Sequence, residues 1–183
     1  KKAKLEVSKE NPNLPMQLKF EVSPTEVIRK LLSVNDLTLE TSLEEERNII
    51  GKVYDQVLVK LKEYDFPDIR IIRGDAVVEA KDNFDNLLFS QGNPGRSSTY
   101  TRYVDEDHVL RTHTSALIPI TFRNIKEPIG HSTFVLPGLV YRRDVIDPRH
   151  LDVFHQIDVW TLSSIEKYGK ANRKQLLNLA KAV

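Results

Sequence analysis

Cysteine is absent from all 183 residues. That excludes disulfide staples, thiolate nucleophiles and cysteine-held metal, and it agrees with a cytoplasmic protein. Glycine is scarce, at seven, and neither a P-loop nor a dinucleotide-binding glycine pattern occurs. The five histidines show no H-E-x-x-H spacing and no nucleophile elbow is present, so no metal ligand set is expected. No apolar run approaches the roughly 20 residues that span a bilayer, so no membrane partner is expected either. An excess of one charge is also missing: 27 basic against 26 acidic side chains leave a formal +1, and no global field argues for nucleic acid. Basic residues gather only near the ends, as at Lys1, Lys2, Lys4 and Lys9 or Lys174 and Lys181, where solvated termini are the ordinary reading. No signal peptide is expected in this sequence, and the start at Lys1 without Met points to a processed segment or a piece of a longer chain.

What is present is the balance of a globular domain with a proper core, 40% hydrophobic and 29% charged. Residues 1–20 are polar, carry Pro12 and Pro15, and read as an extended N-terminal arm. Ser23-Pro24-Thr25-Glu26 is a helix start with its capping Ser, Pro at the first position and Glu three residues on. A longer helix, capped by Thr41 or Ser42, is predicted from the stripe Ile50, Val53, Tyr54, Val57, Leu58 and Leu61, ending before Pro67. Strands are predicted at 69–72, 76–79, 99–104, 108–114, 133–136, 139–145 and 153–162, with a turn at Asp105-Glu106-Asp107 and a helix or irregular segment after Ser115. The last predicted helix spans 172–182. No repeat or low-complexity tract appears. A mostly antiparallel sheet flanked by helices, an α+β domain, is expected.

The densest chemistry lies in GLVYRRDVIDPRHLDVFHQIDVWTL at 138–162. Two strands flank Asp147-Pro148, a turn signal, so the segment reads as a long hairpin. Period-2 geometry places Phe154, Gln156, Asp158 and Trp160 on one face of its second strand. From the residues alone, two readings stand. The Arg142-Arg143 pair is a solvated hairpin edge with Phe154 in the core, or guanidinium, ring, amide and carboxylate together hold an anionic, ring-bearing ligand with an ammonium group, as ATP and an amino acid would provide.

That segment resembles motif 2 of class II aminoacyl-tRNA synthetases, specifically the phenylalanyl-tRNA synthetase family, whose pattern reads approximately G-x-V-[YF]-R-R-D-x-x-D-x-x-H-x-x-x-F-H-Q-x-E. All but the final Glu match. Three further family blocks precede it in the expected order: DNFDNLLF at 82–89, NPGR at 93–96 in place of the usual HPAR, and LRTHTS at 110–115. The resemblance implies that Arg142 binds the α-phosphate of ATP and is catalytic, that Phe154 stacks on adenine and that His150 lies near the phosphates. It implies that Gln156 and Asp158 hold the amino group of the amino acid and that His113 and Ser115 line its head-group site. Mg2+ would enter only with ATP. The partners implied are tRNA, ATP and an amino acid, with homo- or hetero-oligomers formed through the motif 1 region.

The chain departs from the family in four places. Asp158 replaces a Glu, one methylene longer. Ile118 stands where the family places a Gln. Around motif 1 the family's Gly-Pro-x-x-Glu is Gly74-Asp75-Ala76-Val77-Val78-Glu79. The arginine-bearing motif 3 does not occur before Val183, so residues 1–183 are expected to form one partial catalytic domain that cannot complete aminoacylation alone. The expected function is a phenylalanyl-tRNA synthetase-like ligase that activates an amino acid, phenylalanine first, to the aminoacyl-adenylate and transfers it to tRNA. The alternatives are a paralogue adenylating another amino acid and a non-catalytic scaffold or tRNA-docking module.

Overall fold

A computed structural model of the chain describes residues 4–5, 18–19, 26–39, 47–126, 130–143, 151–170 and 172–183. The short strands β1 (Lys4–Leu5) and β2 (Leu18–Lys19) pair antiparallel. Helix α1 (Glu26–Leu32) buries Ile28 and Leu31, and α2 (Ile49–Glu63) buries Tyr54, Val57 and Leu61, the expected stripe. The start of α2 differs from the expected one. Its cap is Asn48, whose side chain accepts a hydrogen bond from the Ile50 N–H, and Thr41 and Ser42 lie outside the described residues. Of the stripe, Val53 is exposed.

Strands β3 (Ile69–Ile71) and β4 (Val77–Glu79) follow, then α3 (Ala80–Asn83), β5 (His108–Leu110), α4 (Leu117–Asn124), β6 (His131–Tyr141), β7 (Val153–Ser163), α5 (Ile165–Tyr168) and α6 (Arg173–Ala182). The main sheet runs β3-β6-β7, parallel at the first pairing and antiparallel at the second, and β4 pairs antiparallel with β5. The architecture is the α+β class expected. Helix α6 is closed by a reciprocal capping box: the Asn172 side chain accepts from the Gln175 N–H and the Gln175 side chain accepts from the Asn172 N–H.

Three strand boundaries correct the expectation. Residues 99–104 are turns rather than a strand, because Ser97 draws the backbone into local bonds: its carbonyl accepts from Tyr100 and Thr101 and its hydroxyl from the Thr99 N–H. Only Tyr103 makes a lone bridge to Val109. The predicted strand at 108–114 stops at Leu110, and Thr114–Ala116 is a turn of 3-10 helix. The predicted strands at 133–136 and 139–145 are one strand through Pro137. Pairing with β3 ends at Val135, so the missing N–H of Pro137 costs no bond on that side. Residues 144–150, with the Asp147-Pro148 turn, lie outside the described residues.

Strand β6 is buried almost throughout and divides the core. Val135 packs with Tyr54, Val57, Leu61 and Ala182 beneath α2 and α6; Phe134 and Leu136 pack with Leu117 and Ile118 beneath α4. Leu139 and Tyr141 join Ile28, Leu31 and Leu110. Strand β6 carries a helix layer on each side, and its partner β7 turns one face toward Thr114 and Ser115.

Candidate active site

The face of β7 expected from period 2 is realised. Gln156 Oε1 accepts from the Thr114 N–H at 3.1 Å, and the Ser115 hydroxyl donates to an Asp158 carboxylate oxygen. Trp160 meets Phe122 of α4 edge to face, centroids 6.5 Å apart. The alternate residues serve the other face: Ile157 and Val159 pack beneath α2, and His155 Nε2 accepts from the Leu37 N–H at 2.9 Å. Accepting that bond requires an unprotonated Nε2. Burial pushes the His155 pKa down, against the pull of Asp36.

Arg142 stands just past the end of β6, across the hairpin from Phe154. Its guanidinium carbon lies 5.0 Å from the centroid of the Phe154 ring, a cation-π contact, and its Nε donates to the Thr112 carbonyl at 3.0 Å. Among the described residues its two terminal nitrogens meet no acceptor. Its backbone is clamped on both sides: Arg142 N–H donates to the Asp152 carbonyl, Arg143 N–H to that of Tyr100. Arg143 itself points away and donates to the Ser98 carbonyl at the surface.

A cavity of about 340 Å³ opens beside this guanidinium, lined by Phe84, Phe89, Pro94, Thr112, His113 and Arg142 among others. DNFDNLLF, NPGR and LRTHTS therefore form one wall with motif 2. His113 is stacked on Phe89, 5.4 Å between centroids with planes 5° apart. Among the described residues neither of its ring nitrogens has a hydrogen-bond partner of normal geometry. Burial lowers its pKa below the usual histidine value against the upward pull of the Asn83 backbone and then of Asp158, and Arg142 adds a smaller push downward. The ring is therefore neutral near pH 7, able to donate from one nitrogen and accept at the other.

Six of the seven residues expected at the site, Arg142, Phe154, Gln156, Asp158, His113 and Ser115, are brought together; His150 lies outside the described residues. Ile118 is not at the site surface but on α4, buried in the core with Phe134 and Leu136 of β6. Two supports escaped the sequence reading. Arg111, 5% exposed, donates from Nε to the Leu139 carbonyl at 2.8 Å and from Nη1 to that of Gly74 at 2.9 Å, so it ties β6 to the β3–β4 connection. Asp82 is buried and accepts two hydrogen bonds from the guanidinium of Arg123 of α4, at 2.8 and 2.6 Å. The Arg111 partners and Arg123 lie more than 25 residues away in the chain, and only Asn86, which donates to Asp82 at 2.6 Å, is local.

Residues 35–171 match the family model for the tRNA synthetases class II core domain (F). The chain is 34% identical to the mitochondrial phenylalanine–tRNA ligase of Saccharomyces cerevisiae, over 79% of this chain and 31% of that protein. It is 39% identical to the chloroplastic/mitochondrial phenylalanine–tRNA ligase of Arabidopsis thaliana, over 57% and 23%. It is 32% identical to the phenylalanine–tRNA ligase alpha subunit of Dictyoglomus turgidum, over 67% and 39%. The chain thus spans less than two fifths of the length of each of these curated relatives. Among solved structures, the pyrrolysyl-tRNA synthetase of Desulfitobacterium hafniense is similar in fold, with a TM-score of 0.54 over 80% of this chain and 49% of that one at 15% identity.

Proposed function

The chain belongs to the class II tRNA synthetase core-domain family, and from that footing we propose that it supplies the nucleotide and amino-acid head-group half of a phenylalanyl-tRNA synthetase-like ligase. The observation that carries this reading is Arg142: a guanidinium seated on Phe154, its terminal nitrogens open among the described residues, at the rim of the cavity shared with His113.

In the proposed reaction a carboxylate oxygen of the amino acid forms a bond to the α-phosphorus of ATP as the bond to pyrophosphate breaks. A ribose hydroxyl of the terminal adenosine of tRNA then forms an ester bond to the aminoacyl carbon as the bond to the adenylate breaks, releasing AMP and a proton. Charge accumulates on the α-phosphate, and a guanidinium held in advance stabilises it without reorganising. Arg142 takes that role, and Phe154 supplies an aromatic face for adenine. His150 would lie near the phosphates. Gln156 and Asp158 take the ammonium group as acceptors, and His113 and Ser115 border the head group. Mg2+ would arrive with ATP; among the described residues no group of three or more His, Asp or Glu could hold it independently.

A second reading, a relative acting on another amino acid, is favoured by Asp158: its carboxylate is one methylene shorter than the family's Glu and is already engaged by Ser115. Amino-acid-dependent ATP–pyrophosphate exchange by the native full-length protein, run with a panel of amino acids, separates the two. Phenylalanine as the best substrate supports the first reading, a different amino acid supports the second, and no exchange with any of them contradicts both.

tRNA docking and assembly through the motif 1 region are part of the proposal; Ile49, Val53 and Val59 on the outer side of α2 are exposed. No described helix is long and apolar enough to cross a membrane. A cytoplasmic location is retained as a proposal, to be tested by localising the native protein.

A further inference from the structure

Asn83 is fully buried at the end of α3. Its carboxamide closes a two-bond clasp on one residue: Oδ1 accepts from the Thr112 N–H at 3.0 Å and Nδ2 donates to Thr112 Oγ1 at 2.9 Å. Strand β5 has ended at Leu110, so a side chain does here what a neighbouring strand would do, fixing both the backbone and the rotamer of Thr112. The carbonyl of the same Thr112 accepts from Arg142 Nε at 3.0 Å and, among the described residues, is the only acceptor on that guanidinium.

The orientation of Arg142 therefore depends on one carbonyl, and that carbonyl's on Asn83. An arginine held only by stacking keeps much of its rotamer freedom, and a single bond at Nε leaves the two terminal nitrogens aimed together into the cavity. Without the carboxamide, Thr112 would have a buried N–H with no partner and would turn to find one, carrying its carbonyl away from Nε. We infer that Asn83 is a positioning residue for the Arg142 guanidinium, acting through Thr112. The inference rests on the reading of Arg142 as the ligand of the nucleotide phosphate.

The test is a double-mutant cycle on phenylalanine-dependent ATP–pyrophosphate exchange by the native full-length protein: wild type, Asn83→Ala, Arg142→Ala and both. Asn83→Ala is expected to lower kcat/KM for ATP roughly tenfold with the phenylalanine KM unchanged, and to have no further effect once Arg142 is alanine. Thr112→Val removes half of the clasp and keeps the carbonyl; it replaces Asn83→Ala if that variant fails to fold, and its smaller loss must likewise vanish in the Arg142→Ala background. Equal losses in both backgrounds, or no loss, overturn the positioning role and leave that of Arg142 intact. Full exchange activity in Arg142→Ala overturns the reading of Arg142 and the inference with it.

Discussion

The guanidinium of Arg142 lies 5.0 Å from the centroid of the Phe154 ring, although Arg142 follows the end of β6 and Phe154 lies on β7. Cation and aromatic face are thus delivered to one place by strand register, and an adenine nucleotide needs both. The contact also gives the guanidinium a partner in the absence of nucleotide, so part of the cost of ordering that side chain is met before ATP arrives.

Asp158 accepts from the Ser115 hydroxyl, and the two sit at the end of the proposed amino-acid site. Asp158→Asn keeps the shape and removes the charge that an ammonium group would pair with. The expected outcome is a rise of about tenfold or more in the KM for the amino acid, with the KM for ATP unchanged, measured by pyrophosphate exchange with the native protein. An equal rise in both would show that Asp158 acts on the fold instead.

Gly138 has φ of +153°, and a Cβ there would lie 2.5 Å from Nη2 of Arg111. Arg111 cannot yield easily, because its Nε and Nη1 are bound to the Leu139 and Gly74 carbonyls. Gly138→Ala should therefore destabilise the chain by about 2–4 kcal/mol, the sum of a strained backbone and a loosened buried hydrogen-bond set. A urea denaturation midpoint that does not move would show that the site relaxes freely.

Two half-buried histidines are expected to lower stability in acid. His113 and His155 both have pKa values lowered by burial, so their folded-state values lie below the ordinary 6.5 of the unfolded chain. Near and below pH 6.5 the unfolded chain binds protons that the folded one does not, so stability present above that pH falls as the pH falls toward the lowered values. The expected result is a melting temperature that drops between about pH 7 and pH 5, with a shallower drop in His155→Gln, whose side-chain amide can still accept from the Leu37 N–H. A drop of unchanged slope would place the acid limit elsewhere, for example at the carboxylates.

Much of this site was legible before the coordinates because period 2 alone determines which residues of β7 share a face, and Phe154, Gln156 and Asp158 obey it. The helices α2 and α6 were legible for the same reason at period 3.6, and Asn172 stands at the expected start of α6, although its capping partner Gln175 was not foreseen. The missed parts are those set by distant polar partners. Strand β5 ends early because Asn83, 29 residues away, takes over the bonds of Thr112. Residues 99–104 alternate like a strand, yet Ser97 bends them into turns that close the cavity at Tyr100 and Thr101. Arg111 is one charged residue within LRTHTS, and nothing local in the sequence marks a guanidinium that binds carbonyls from β6 and from the β3–β4 connection.

The measurement that tests the central claim most directly is the calorimetric affinity of the native protein for ATP with Mg2+, compared with Arg142→Ala and Phe154→Ala. The expected result is magnesium-dependent binding, weakened about tenfold or more by each substitution. Equal affinity in all three forms, or no binding by the native protein, would contradict the assignment of the Arg142–Phe154 pair as the nucleotide seat.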